Sequence, residues 1–317
     1  MVDYSESAAS FRGLAATGSF TAPDTTFGRG TLTITIQSVP GIGNLTLHFA
    51  YYITRGGSGT QPIVYIQSTD SPDTVGHALQ NGIMLKQTGG PFSAASINGN
   101  VIFSLTGLDA SHGITNTIVG LATSAGTGTF TGVGDQEADA APVINQTISG
   151  TIAIGNDGMG TIQITAPVVQ APTAVAMVAP NAALMLEVSS TTLTGDDVVT
   201  GILQPQTGGG TFTPASLSGT LILGSDEPAT TATDVQVGTV TITSPGNLTI
   251  TLDNSNTGGL QPNQVMTGTY TMTANGRGDV TITSGGSGTA VIWLLGTNKA
   301  VVMLRGQSDS ALINVEQ

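Results

Sequence analysis

The chain of 317 residues contains no cysteine, and only 9% of its residues are charged. Without cysteine it forms neither disulfides nor thiolate metal sites, so its stability must come from packed cores. Lysine and arginine together number 7 against 20 acidic residues, which gives a formal net charge of −13. Clustered basic residues are needed to neutralise phosphates, so we expect no nucleic-acid partner. The same shortage argues against an anionic membrane surface as partner.

Long apolar runs are also missing. No stretch reaches the roughly 18 apolar residues that a membrane-spanning helix needs. The two most apolar segments, residues 174–188 and 290–304, are interrupted by turn residues. We therefore expect no membrane insertion. The first residues have neither the basic nor the apolar region of a signal peptide, so we expect either an intracellular protein or an upstream piece that this chain lacks.

Short runs that alternate in polarity take the place of long helical patterns. Residues 31–36 read Thr-Leu-Thr-Ile-Thr-Ile, and residues 161–165, 239–243 and 248–252 follow the same scheme. A period of two with β-branched residues is typical of half-buried strands that turn threonine to water and larger apolar residues inward. Turn residues recur at the spacing of an antiparallel sandwich. We therefore predict an all-β fold of tandem antiparallel Ig-like β-sandwich repeats.

An internal repeat is the strongest signal in the sequence. Three segments begin at Asp3, Asp135 and Asp253, and each then reaches a Gly-x-Gly pair followed by an alternating strand. An apolar hairpin comes next, and a short strand that ends in glutamine closes each segment. We call this predicted five-strand meander the b half.

A second element, which we call the a half, lies between the b halves and occurs twice. It opens with a glycine-rich joint, at residues 88–92 and 207–212, and continues with several strands. The order is therefore b-a-b-a-b. The simplest division gives a partial repeat at 1–87 with a b half alone, and complete repeats at 88–206 and 207–317. Each complete repeat has the size of one sandwich domain.

The incomplete repeat at 1–87 has physical consequences. A lone b half would expose an apolar sheet face and open strand edges, which associate with other chains. Three explanations are open. The chain is a fragment of a longer array, or a neighbouring molecule supplies the missing strands and so forms a polymer, or the b half packs by itself or on a twin. We favour the fragment or the polymer, and we expect 1–87 to carry the surface that other chains bury most.

The sequence also resembles a known class of protein. The residues that carry the resemblance are 268–271, Gly-Thr-Tyr-Thr, and 275–283, Asn-Gly-Arg-Gly-Asp-Val-Thr-Ile-Thr, in a Gly/Thr-rich, acidic and lysine-poor chain. In this pattern the whole chain resembles bacterial extracellular surface proteins built from tandem Ig-like β-sandwich repeats. The resemblance implies a role in adhesion, surface layers or filaments, and an extracellular or cell-surface location. It brings no catalytic motif with it.

The frame-matched acids Asp3, Asp135 and Asp253 are the candidate metal ligands. Other oxygen-bearing side chains lie nearby in each segment, and a hard cation such as Ca²⁺ takes several converging oxygens. The alternative is that each aspartate caps a turn by accepting hydrogen bonds from backbone N–H groups. We favour the turn cap, because the neighbouring ligand types differ between the copies, and we expect no other cofactor.

Aromatic side chains supply the candidate interaction residues. Tyr51, Tyr52 and Tyr65 cluster in the first repeat. They predict either a small surface patch, with a glycan as its ligand, or simple packing of the unit that lacks its a half. Trp293 lies in an apolar hairpin and is predicted to be core.

The sequence contains no constellation that predicts a reaction. The three histidines, His48, His77 and His112, fall in unrelated contexts and do not recur in the repeats. We predict a non-enzymatic extracellular structural protein that assembles with copies of itself into a filament, tube or surface layer through its incomplete first β domain. A glycan- or host-binding adhesin or stalk module is the alternative. An enzyme that acts on polysaccharide through two carboxylates is the third hypothesis.

Overall fold

The fold is built from antiparallel strands. The computed structural model describes residues 2–6, 9–54, 63–71, 81–109, 114–138, 141–170, 172–187, 198–226, 235–256, 258–306 and 311–317. In these residues the only helical elements are two single turns of 3₁₀ helix, Ala94–Ser96 and Pro214–Ser216. The all-β prediction is therefore confirmed. No helix in this part of the chain is long and apolar enough to cross a membrane.

The described residues up to Thr88 form one compact unit. It contains a two-stranded hairpin and an open five-stranded sheet with the order β3-β4-β5-β6-β7. Every neighbouring pair in the unit is antiparallel. The strands are β1 (Val2–Glu6), β2 (Ala9–Leu14), β3 (Ala16–Phe20), β4 (Arg29–Val39), β5 (Gly43–Ile53), β6 (Val64–Ser68) and β7 (Asn81–Met84).

The described residues from Gly89 onward form the other compact unit, which holds two closed eight-stranded barrels. The first barrel contains β8 (Asn98–Asp109), β9 (Ile114–Ala125), β10 (Thr129–Ala138), β11 (Val143–Ile154), β12 (Met159–Ala166), β13 (Thr173–Ala179), β14 (Ala182–Glu187) and β15 (Val198–Pro205). The second contains β16 (Gly219–Asp226), β17 (Val235–Ser244), β18 (Asn247–Asn256), β19 (Gly259–Tyr270), β20 (Arg277–Ser284), β21 (Gly288–Gly296), β22 (Lys299–Arg305) and β23 (Leu312–Glu316).

Closed barrels take the place of the predicted Ig-like sandwiches. In the first barrel β15 pairs with β8, and in the second β16 pairs with β23, so each sheet closes on itself. Closure needs sharp coiling, and glycine permits it by letting neighbouring backbones approach. A Cβ atom on Gly132 would lie 2.0 Å from the carbonyl oxygen of Leu121, and one on Gly201 would lie 2.0 Å from that of Ser104. Sandwich and barrel share the same period-two alternation, so the sequence pattern could not distinguish them.

The repeat order can be followed in the strands. Each barrel begins with three strands from an a half and continues with five from a b half, and the sheet β3–β7 corresponds to a b half. One apolar face of that sheet is covered rather than exposed, since Ile36, Leu45, Leu47 and Phe49 are buried. The boundaries after residues 87 and 206 stay predictions for folding units.

Each barrel is filled by the inward side chains of its own strands. Val101 and Phe103 on β8 and their counterparts Leu221 and Leu223 on β16 belong to these interior clusters. The residue between them, Ile102 in one barrel and Ile222 in the other, points outward. Alternation along β8 and β16 therefore divides one apolar run between an interior and an exterior face.

We expect Leu221→Ala to lower the free energy of unfolding by about 2–5 kcal/mol, because it opens a cavity at a fully buried site. The neighbouring change Ile222→Ala, at a side chain 63% exposed, is the matched control, with an expected effect within about 0.5 kcal/mol. Denaturant unfolding followed by far-ultraviolet circular dichroism measures both. Equal losses in the two variants would contradict the register of β16.

Candidate functional site

The two barrels pack through the outer faces of β8–β10 in the first barrel and β20–β23 in the second. Every residue from 290 to 295 is buried, because alternate side chains of β21 fill the barrel interior and the contact between the barrels. Trp293 is fully buried in this contact, so the prediction that it is core is confirmed. The apolar side chains buried between the barrels are Ile102, Val119, Leu121, Val291, Trp293, Leu295, Val301, Met303 and Leu312.

The Asp135 carboxylate lies at the polar centre of this apolar interface and is buried. Its Oδ1 accepts hydrogen bonds from Arg277 Nη2 at 2.8 Å and from the backbone N–H of Asn145 at 2.7 Å. Its Oδ2 accepts from Arg277 Nε at 3.1 Å and from Trp293 Nε1 at 2.8 Å. A buried carboxylate is tolerated when its oxygens are paired in this way, and charge-assisted bonds to a guanidinium are the strong ones.

Arg277 is held by two carboxylates. Its Nη1 lies 3.3 Å from Asp279 Oδ2, in addition to the contacts with Asp135. Burial by itself lowers the pKa of Arg277, but the hydrogen bonds and charge of Asp135 and Asp279 outweigh it, so the pKa is raised. Arg305 Nη1 lies 3.2 Å from Asp279 Oδ1 and extends the network along the second barrel.

Glu137 is a second buried acid at the interface, and its side chain lies two residues beyond Asp135 on the same face of β10. Its Oε2 accepts a hydrogen bond from the backbone N–H of Gly306 at 3.0 Å, while Oε1 has no hydrogen-bond partner among the described residues. Burial raises the pKa of Glu137, and the Gly306 N–H and the charge of Arg305 offset only part of that shift.

The joint between the barrels is tied down by Gln206. Its Nε2 donates to the carbonyl oxygens of Asn275 and Leu294, both at 2.8 Å, and its Oε1 accepts from Asn100 Nδ2 at 3.3 Å. The backbone N–H of Thr207 donates to the Leu295 carbonyl at 2.8 Å. Gln206 and Thr207 are therefore hydrogen-bonded to the second barrel, and the bond from Asn100 ties Gln206 to the first, so these contacts favour one mutual orientation of the barrels.

The candidate metal ligands take different positions. Asp135 is occupied by the donors described above, and a cation would meet the Arg277 guanidinium there. Asp253 is exposed on β18, and its Oδ1 accepts from the backbone N–H of Asn263 at 2.8 Å. Asp3 lies in β1, and its side chain falls outside the described part. Asp135 and Asp253 each accept a backbone N–H from the neighbouring strand, at a position where the pairing register shifts. The turn-cap interpretation and calcium binding both stay predictions.

The three tyrosines separate onto two faces of the sheet. Tyr51 is buried on the inner face, and its hydroxyl donates to the Thr21 carbonyl at 2.5 Å. Tyr52 and Tyr65 are directly opposed on β5 and β6 and are 45% and 49% exposed on the outer face. Arg29 Nε donates to the Tyr52 hydroxyl at 3.2 Å, and the guanidinium lies 6.0 Å from the ring centre. We call Arg29, Tyr52 and Tyr65 the tyrosine face.

The second barrel exposes an apolar surface on its a half. Ile222, Val235 and Val237 lie on the outer face of β16 and β17 and are 63%, 55% and 56% exposed. Asp253 is directly opposed to Val237 on the neighbouring strand β18. We call these four residues the valine face.

The described residues contain no group of three or more His, Cys, Asp or Glu side chains that could hold a metal ion. His48 Nδ1 lies 2.7 Å from Asp70 Oδ1, and His77 and His112 fall outside the described residues. The second barrel encloses a cavity of about 250 Å³, and no described residue that lines it is charged.

Sequence reasoning missed Arg277 and Glu137 as interface residues. The available signal was the continuous apolar run at 290–295, because a strand buried on both faces loses its alternation.

In comparisons with known proteins, no family model matches the chain, and no curated protein matches it either.

We expect Arg277→Met to lower the free energy of unfolding by about 3–5 kcal/mol, because it leaves the Asp135 carboxylate buried without its cation. Arg29→Met is the matched control, since this arginine occupies the same repeat position but is exposed. Denaturant unfolding measures both. A double variant, Asp135→Asn with Arg277→Met, should recover part of the loss, and a loss equal to the sum of the two single changes would contradict the pairing.

The raised pKa of Glu137 predicts a specific dependence of stability on pH. The folded state binds the Glu137 proton more tightly than the unfolded state does, so this group stabilises the fold at low pH and loses that contribution as pH rises through the folded pKa. Glu137→Gln should therefore gain stability over the parent chain as pH rises from about 4 to neutrality. Unfolding midpoints across this range measure the difference. Glu316→Gln, at an exposed side chain, should show no such gain.

Proposed function

We propose that this chain is a non-enzymatic structural protein that assembles with copies of itself into a filament, tube or surface layer. The observation that carries the proposal is the valine face, which corresponds by repeat to the surface that the first barrel buries against the second. The acidic, lysine-poor composition and the repeat pattern support an extracellular or cell-surface location as part of the same proposal.

The correspondence follows from strand register. Ser104 pairs with Val119 in the first barrel, as Gly224 pairs with Val237 in the second. Val119 is fully buried between the barrels, whereas Val237 is 56% exposed. The same difference separates Ile102, which is buried, from Ile222. The valine face therefore has the strand positions of the surface that the first barrel buries, but its apolar side chains are exposed.

The energetics favour association through this face. Burial of exposed apolar surface stabilises a contact by about 25 cal/mol per Å², and complete burial of an exposed valine or isoleucine side chain contributes roughly 1.5–3 kcal/mol. Val235 and Val237 are successive outward residues of β17, and Ile222 lies diagonally from Val237 on the paired strand β16. Exposed apolar side chains grouped on one face are typical of an interaction surface. The net charge of −13 opposes contact between copies, so the apolar burial has to outweigh that repulsion.

A glycan- or host-binding adhesin or stalk module is the alternative proposal. The exposed tyrosines Tyr52 and Tyr65 beside Arg29 favour it, because aromatic platforms with a polar neighbour suit sugar rings. The two proposals differ in the state of the pure protein. A glycan-binding module needs no self-association, whereas the structural role requires it.

We expect the parent chain to assemble with rising concentration and Val237→Asp to weaken assembly about tenfold or more, since it places a charge where an apolar side chain would be buried. Light scattering coupled to size exclusion, with electron microscopy of the products, measures assembly. Val169→Asp, at another exposed valine in the first barrel, is the control and should assemble normally. A parent chain that stays monomeric at every accessible concentration overturns the proposal.

A further inference from the structure

We propose that the valine face of one copy docks on the tyrosine face of a second copy, with Asp253 pairing to Arg29 and Tyr52 across the contact. This inference rests on the proposed self-assembly and names its two surfaces. It repeats between chains the contact that joins the two barrels within a chain, in which Asp135 pairs to Arg277 and Trp293.

The tyrosine face repeats one polar and aromatic row of the second barrel's docking surface, whereas Gln67 and Asn81 stand where that surface has Met303 and Leu312. Arg29 pairs with Tyr52 across β4 and β5, as Arg277 pairs with Trp293 across β20 and β21. Tyr65 continues the row on β6, where the second barrel has Val301. The barrel residues are buried against the first barrel, and Arg29, Tyr52 and Tyr65 are exposed.

The charges of the two exposed faces are complementary. Asp253 stands at the repeat position of Asp135, and Arg29 stands at that of Arg277. Tyr52 replaces Trp293 and keeps a donor at the tip of its ring. Its oxygen accepts from Arg29 Nε, so its own hydrogen is available to a carboxylate, as the indole N–H is to Asp135. Asp24 also interacts with the charge of Arg29, but its oxygens accept the backbone N–H groups of the turn that follows it.

A second pair of positions changes on both faces together. Within the chain, Glu137 is influenced by the charge of Arg305 and accepts from the N–H of Gly306. On the valine face the position of Glu137 is Ser255, as the pairing of Val235 with Ser255 shows. On the sheet, the backbone N–H of Thr69 donates to the His48 carbonyl. His48 has the repeat position of Thr289, which pairs with Arg305, so Thr69 takes the position of Arg305. Asp70 follows at the position of Gly306. Its carboxylate would repel a glutamate on the opposite face, whereas it does not repel Ser255.

Side-chain volume is exchanged in the same sense. Leu121 of the first barrel is replaced by the smaller Thr239 beside the valine face, while Thr251 is about the size of Val133. On the opposite side Tyr65 is larger than Val301, its counterpart in the second barrel, although Tyr52 is smaller than Trp293. The loss at Thr239 and the gain at Tyr65 are in the sense that close packing requires.

The contact joins two different surfaces of the chain, so each docked pair of copies leaves one valine face and one tyrosine face free. Such a heterologous contact produces open chains, or rings if its rotation closes. A second copy is therefore the occupant that both faces predict, and growth proceeds from head to tail.

Charge reversal tests the pairing directly. Arg29→Asp and Asp253→Arg should each weaken assembly about tenfold or more, because like charges then meet in the contact. The double variant Arg29→Asp with Asp253→Arg should assemble within a few-fold of the parent chain, and so should an equimolar mixture of the two single variants. Lys86→Asp and Glu316→Arg change exposed charges by the same amounts elsewhere and are the controls. Circular dichroism and unfolding midpoints verify that each variant is folded.

The outcomes separate this inference from the proposed function. Loss in both single variants with recovery in the double variant supports the pairing. If the parent chain assembles and Val237→Asp blocks it, but charge reversal has no effect or the double variant fails to recover, the proposed function stands and the pairing is wrong. A parent chain that never associates overturns both.

Discussion

The contact on which the joined barrels depend is the buried bond between the Asp135 carboxylate and Arg277. A carboxylate removed from water is stable only while its donors stay in place, and these come from three strands, with the guanidinium on β20, the Trp293 indole on β21 and the Asn145 N–H on β11. Apolar burial around it supplies area but no direction. The ion pair supplies direction, so the two barrels have one favourable register and orientation.

The strands and the repeat could be predicted from sequence, because alternation and glycine spacing are local properties. The repeated aspartates could be identified as equivalent positions, and Asp135 and Asp253 each accept the N–H of an asparagine ten residues further along the chain. Which aspartate is buried was not accessible. That difference depends on Arg277, which lies 142 positions from Asp135. Closure into barrels was missed because a sandwich strand and a barrel strand carry the same pattern.

One sequence signal does reach beyond the single barrel. Val101, Ile102 and Phe103 form an unbroken apolar triplet on β8, and Leu221, Ile222 and Leu223 form another on β16. A strand covered on one side alone would interrupt such a run with a polar residue. In β8 both sides are covered within the chain. In β16 the outward residue Ile222 is apolar, as at a buried surface, but it is exposed to water. This distinguishes it from an apolar residue that is scattered singly on a surface.

The Gln206 clamp has a mechanical consequence for any array built from these chains. Within a chain, the barrels share a covalent joint, two hydrogen bonds from the Gln206 amide to backbone carbonyls, and a broad apolar contact. Between chains no peptide bond or clamp spans the junction. A pulled array would therefore alternate rigid and compliant segments and would break at the junctions first, releasing intact subunits able to anneal again.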